Sequence, residues 1–128
     1  MKKLLLCFVI GITAVACAGY TNTYSTKLTP KIFNEKISND TVQLVDVRTP
    51  EEYKENHIPS ATNINYLSEN FNNSFSVLDK TKPVFIYCRS GKRSNKSAAK
   101  LKKAGFTTIY ELEGGILNWT RQGLEVNN

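Results

Sequence analysis

Two short runs leave this chain few choices of fold. Val42–Val47 (VQLVDV) and Pro83–Tyr87 (PVFIY) are β-branched or aromatic and mostly apolar on both faces. Strands of that kind are covered on both sides, which suits a buried parallel sheet rather than a surface hairpin. Helical signals lie between and around them. Thr29-Pro30 reads as an N-cap with proline at the first helical position, with Phe33 and Ile37 on one face and an end at Asn39-Asp40. Thr49-Pro50-Glu51-Glu52 has the spacing of a capping box. Ile58-Pro59-Ser60-Ala61 reads as a turn into a brief strand at Asn63–Asn65, and Phe71, Phe75 and Leu78 recur at helical spacing. A further helix is expected from about Ser94 to Ala104, stopped by Gly105 with Phe106 against Leu101. Ile109–Leu112 reads as a strand, Gly114-Gly115 opens a last helix carrying Ile116 and Trp119, and Thr26–Leu28 reads as a short first strand. This alternation predicts an α/β domain built from βαβ units, a mostly parallel sheet with helices on both faces. Functional groups in such sheets gather at the carboxyl ends of the strands, and Cys88 stands at one of them.

The length, 128 residues, allows one domain. With 41% hydrophobic and 22% charged residues, a disordered chain, a fibrous repeat and a multi-span membrane protein are excluded. The formal charge of +6 reads as a mildly basic solvated surface, and no nucleic-acid partner is expected.

Residues 1–16 read as a targeting segment. Lys2 and Lys3 precede an apolar run from Leu4 to Ala16 that is too short for the roughly 20 residues a bilayer span requires. Ala14-Val15-Ala16 is an A-x-A cleavage site. Ala14-Val15-Ala16-Cys17 also resembles a bacterial lipobox, which makes Cys17 a lipidation candidate, although Ala14 stands where lipoboxes usually carry Leu. The expectation is a signal peptide at 1–16, a polar tether at 17–25 and a domain at 26–128, exported to the periplasm or anchored as a lipoprotein of a bacterial cell envelope. The membrane would be met only through that N-terminal lipid. Cys7 goes with the leader; with Cys17 lipidated, Cys88 is the one thiol left and no disulfide framework is possible.

The chemistry is expected at Cys88-Arg89-Ser90-Gly91-Lys92-Arg93-Ser94. A buried strand delivers the thiol to a tight loop, Gly91 lets the backbone close around the sulfur, and Ser94 is read as the cap of the next helix. Helix N-terminal amides and the cations Arg89, Lys92 and Arg93 all favour thiolate over thiol and attract an anion. Such a sulfur can attack the outer sulfur of a donor like thiosulfate, hold it as a persulfide, and pass it to a thiol, on a small molecule or a protein, or to cyanide, in two covalent steps. One His and one available Cys cannot furnish a metal site, and no cofactor is expected.

These residues resemble a known family, the single-domain rhodaneses, which are sulfurtransferases. Cys88–Ser94 is similar to their active-site loop. Asp46-Val47-Arg48-Thr49-Pro50-Glu51-Glu52-Tyr53 with His57-Ile58-Pro59-Ser60-Ala61 resembles their first signature, and Gly105-Phe106 through Leu112-Glu113-Gly114-Gly115-Ile116 and Trp119 resembles their closing stretch. The resemblance covers roughly residues 26–124. It implies a five-stranded parallel sheet flanked by helices, Cys88 as the persulfide-bearing nucleophile, and Arg89–Arg93 as the loop that cradles substrate. Asn56 and Ser60 stand where relatives often have Gly, which bears on local turn geometry and not on the chemistry.

Two other readings of the same thiol stay open at this point. One is a low-turnover persulfide carrier or redox binding module for a protein partner. The other, a phosphatase or arsenate reductase, is disfavoured because those relatives have a loop longer by one residue of the form Cys-x5-Arg, whereas the sixth position after Cys88 is Ser94. His57 is read as a turn residue bonded locally, Asp46 and Arg48 as partners that hold the loops in register, and Trp119 and Tyr87 as core or pocket wall.

Overall fold

The computed structural model describes residues 23–39 and 41–128. The expected leader, the lipidation candidate Cys17 and most of the tether lie outside the described residues. In chain order the elements are β1 (Thr26–Leu28), α1 (Pro30–Asn39), β2 (Gln43–Asp46), α2 (Pro50–Glu55), β3 (Thr62–Asn63), a 3-10 helix (Phe71–Val77), β4 (Val84–Tyr87), α3 (Lys92–Lys103), β5 (Ile109–Leu112) and α4 (Gly115–Arg121). The five strands form one sheet in the order β1-β5-β4-β2-β3, and every pairing is parallel.

The two apolar runs become the neighbouring strands β2 and β4, with Asp46 opposite Tyr87 at their carboxyl ends. Side chains alternate across the sheet. Val45, Val84, Ile86 and Ile109 face Phe71 and Phe75 of the 3-10 helix and Ala98 and Leu101 of α3. Leu44, Phe85, Tyr87 and Leu112 face Phe33 of α1 and Ile116 and Trp119 of α4. Helices therefore cover both faces, and the sheet is buried from both sides, as its composition requires. The edge strands are short, three residues in β1 and two in β3.

Local signals account for the helix ends. Thr49 and Glu52 form the capping box at the start of α2. At the end of α3, Phe106 N–H donates to Leu101 O at 3.1 Å and Gly105 N–H to Lys102 O at 3.1 Å, a Schellman closure. Ser60 adopts φ of 71°, the left-handed backbone a glycine takes more easily, whereas Asn56 is extended at φ −163°. His57 is the local turn residue expected. Its ring stacks on Tyr53 at 3.9 Å, and Nδ1 lies 2.9 Å from Tyr53 O.

Candidate active site

Strand β4 is apolar and wholly buried, and it ends by delivering Cys88 to the sheet's carboxyl edge with the residue 1% exposed. The chain then turns within three residues. Gly91 makes the turn at φ 113°, a backbone that costs glycine least, and α3 begins at Lys92. The expectation that Ser94 caps this helix is corrected. Gly91 occupies the cap position, and Ser94 falls in the first turn, buried under the loop. The helix starts earlier because the glycine, and not a hydroxyl, provides the change of direction.

That shift decides what meets the sulfur. Gly91 N–H points at Cys88 Sγ from 3.0 Å, and the Cys88 thiol lies 3.7 Å from Ser94 Oγ. Among the described residues these are the sulfur's hydrogen-bond partners. Ser94 Oγ is in turn 3.1 Å from Gly91 O and 2.9 Å from Glu111 Oε1. Arg89, Ser90 and Lys92 stand exposed around the mouth of the loop and make no hydrogen bond to the sulfur.

Arg93 is engaged elsewhere. Its guanidinium grips both oxygens of Glu52 at 2.6 and 2.8 Å, so α3 is bolted to the capping box of α2. Glu52 Oε2 also accepts from Thr49 N and Thr49 Oγ1, each at 3.0 Å. Glu52 consequently ionises at about 2 instead of 4.5, held down first by Arg93, against burial, with the Thr49 donors adding. A carboxylate depressed in the folded state stabilises fully above its unfolded value, and that stability is lost as pH falls through the folded one. The window here runs from 4.5 down to about 2. Both side chains keep some exposure, 21% and 27%, so screening holds the contribution to about 1 kcal/mol. In acid denaturation, Glu52→Gln should flatten the fall in stability across this window. An unchanged slope would mean that the pair contributes nothing.

Two more anchors hold the loop. Asp46 and Arg48 are bound to each other, as read from the sequence. Arg48 Nη2 donates to Asp46 Oδ2 at 2.7 Å and Nε to Oδ1 at 3.0 Å, with the residues 0% and 4% exposed. Burial opposes the Arg48 charge, but the Asp46 bonds outweigh it and its pKa is raised. Arg48 Nη2 also reaches Asn56 O at 2.6 Å, tying the end of β2 to the end of α2. From the other side, α4 grips the start of the loop: Ile116 N–H donates to Cys88 O at 2.9 Å and Leu117 N–H to Arg89 O at 3.2 Å. Arg48, Glu52, Arg89, Ile116 and Leu117 line one cleft at the start of the loop.

Sequence reasoning missed the role of Glu111, the pairing of Arg93 with Glu52, and the close approach of Gly115. The signal for Glu111 was a charged residue inside an otherwise apolar strand. No local pattern links Arg93 with Glu52, which lies 41 residues away.

A thiol at a strand's carboxyl end, under a glycine amide and at the mouth of a helix N-terminus, is the arrangement expected from the residues around Cys88. The Rhodanese-like domain family matches residues 29–122. The chain belongs to this family. Among curated rhodanese relatives, a sulfurtransferase of Allochromatium vinosum is 39% identical over 85 residues, 66% of this chain and 78% of that protein. An uncharacterised protein of Bacillus subtilis is 40% identical over 79 residues, and the match spans 60% of each chain. A crystal structure of a rhodanese-like domain protein from Staphylococcus aureus superposes with a TM-score of 0.67 at 30% identity, covering 80% of this chain and 99% of that one. The rhodanese fold, with its five-stranded parallel sheet, is thus the observed architecture.

Proposed function

We propose that this rhodanese-like chain is a sulfurtransferase that takes sulfane sulfur from a small anionic donor of the thiosulfate kind, holds it as a persulfide on Cys88, and delivers it to a thiol or to cyanide. The observation that carries this reading is the Gly91 N–H aimed at Cys88 Sγ from 3.0 Å, at the end of a buried parallel strand. An amide so placed stabilises negative charge on sulfur without needing a base. Arg89 and Lys92, exposed at the loop mouth, supply the attraction for an anion. Thiolate attack on the outer sulfur of thiosulfate forms the Sγ–S bond and expels sulfite with the electron pair of the old S–S bond. Attack by cyanide or a thiol on the persulfide's outer sulfur returns the Cys88 thiolate. The sulfurtransferase name borne by the Allochromatium relative agrees with this chemistry.

Incubation of the purified chain with thiosulfate should add one sulfur to the peptide that carries Cys88, seen by mass spectrometry. Cyanide should then remove it as thiocyanate. Loading without delivery to cyanide or any thiol would mark a carrier instead, and no loading from any sulfane donor would overturn the proposal. The place of action is proposed from the sequence alone, on Lys2, Lys3 and the apolar run Leu4–Ala16. We place the working domain outside the cytoplasm, exported or held by a lipid on Cys17, and the mass of the mature N-terminus in a native host tests that.

A further inference from the structure

Glu111 is the one buried carboxylate that the proposed chemistry does not use and that no cation neutralises among the described residues. It is 1% exposed in the middle of β5, and the two ion pairs present involve other residues. Its hydrogen-bond partners are neutral donors. Ser25 Oγ bonds Oε2, Ser94 Oγ bonds Oε1 at 2.9 Å, and Asn95 Nδ2 lies 3.5 Å from Oε2. Lys27, its register partner in β1, is exposed and forms no ion pair with it. A carboxylate held out of bulk water is costly, and costlier still beside a second anion. The second anion is close at hand, because the same Ser94 hydroxyl that bonds Glu111 lies 3.7 Å from Cys88 Sγ.

Ser94 carries a single hydroxyl proton and three acceptors surround it: Gly91 O, Glu111 Oε1 and the sulfur. The charge-assisted bond to Glu111 is the shortest, so the hydroxyl turns its lone pairs, and not its proton, toward Cys88. Gly91 N–H is left as the donor to the sulfur. Glu111 thus acts on Cys88 in two ways of the same sign: it withdraws the Ser94 proton, and it sets a fixed negative charge one hydroxyl away.

We infer that Glu111 biases Cys88 toward its sulfur-loaded form, because its buried charge opposes a negative charge on Sγ itself and is relieved when that charge moves to the outer sulfur of a persulfide. This rests on the persulfide reading above. In the loading step the Cys88 thiolate becomes a neutral, two-bonded sulfur, the negative charge passes to the added atom one S–S bond away, and sulfite leaves with the bonding pair; no proton is transferred. Glu111 touches neither donor nor acceptor. It is a positioning residue, placing charge rather than substrate.

The test compares charge with shape. The purified chain and its Glu111→Gln variant are brought to equilibrium with fixed thiosulfate and sulfite, at an alkaline pH where the alkylation rate of each has reached its plateau and the free sulfur is thiolate, and the ratio of persulfide to free thiolate on Cys88 is read by mass. Glu111→Gln, which keeps the size and loses the charge, should lower that ratio by about three- to tenfold, the effect of moving a charge one bond length at this separation. Glu111→Asp, which keeps the charge, should stay within about twofold of the native ratio. A merely structural role would move melting temperature and leave the ratio alone. An unchanged ratio in a folded Glu111→Gln, or a loss in Glu111→Asp larger than in Glu111→Gln, overturns the inference. Should Glu111→Gln fail to fold, Glu111→Asp against Glu111→Asn makes the same comparison at a shorter length. A second arm needs no sulfur donor: at one pH below that plateau, iodoacetamide should alkylate Cys88 about threefold faster, or more, in Glu111→Gln. If the native chain never loads sulfur, the proposed function fails while this arm still decides whether Glu111 opposes charge on the thiol.

Discussion

Gly115→Ala is expected to destabilise the chain by about 3 kcal/mol or more and to slow sulfur transfer beyond what the lost stability explains. A Cβ at this position would stand 2.4 Å from Arg89 O and 2.6 Å from Cys88 O, well inside contact distance with main-chain atoms that cannot swing aside. The backbone there, at φ 62°, already disfavours any side chain. Relief requires α4 to back away, which breaks the bonds from Ile116 N–H and Leu117 N–H to the loop carbonyls. The carbonyl displaced belongs to the nucleophile itself, and misplacement of a reacting atom by about 1 Å can cost on the order of a hundredfold in rate. Denaturant unfolding gives the first quantity, and the rate of persulfide formation under native conditions gives the second. A variant less than about 1 kcal/mol weaker, with native transfer, would show that the approach of α4 to the loop is not needed.

Asp46→Asn should cost a similar amount, about 3–5 kcal/mol, by a different route. The substitution keeps shape but strips the counter-charge from a guanidinium that is 4% exposed. Arg48 N–H, Nε and Nη2 all donate to Asp46, at 2.9, 3.0 and 2.7 Å, and an amide nitrogen turned toward them has nothing to accept with. The amide oxygen can still accept from Arg48 N–H and Nε, but Nη2 would keep Asn56 O alone as a close acceptor. Removing both charges is expected to be milder than removing one, so Asp46→Asn combined with Arg48→Met should recover part of the loss. Urea titrations of the two variants check this. A double variant weaker than the single one would mean that Arg48 contributes through contacts other than its charge. Because Arg48 also holds the end of α2, whose Glu52 grips Arg93, the single variant should loosen the loop from the side opposite α4.

What could be read from the residues was whatever short-range chemistry determines. The strands β2, β4 and β5 follow from runs that fit only a covered sheet. The capping box at Thr49 and the Schellman end at Gly105 depend on residues a few positions apart. The Asp46–Arg48 pair was legible because its members stand two positions apart and a strand end fixes their directions. The start of α3 was misplaced because Ser94 and Gly91 are both acceptable helix openers, and the choice falls to the backbone turn that brings Gly91 N–H to the sulfur. Glu111, Arg93 with Glu52, and Gly115 against Arg89 were hidden for one reason. Each contact joins elements that neighbour one another only after the sheet has assembled in its crossed order.

The shortness of the outermost strands has a bearing on how these molecules behave in company. A border of three residues centred on Lys27 and another of two residues present few free main-chain groups to a neighbouring copy. A second chain seeking to extend the sheet would find almost no template, and the lysine would resist being covered. Concentrated solutions should therefore stay free of ribbon-like polymers even though the interior is rich in β-branched residues.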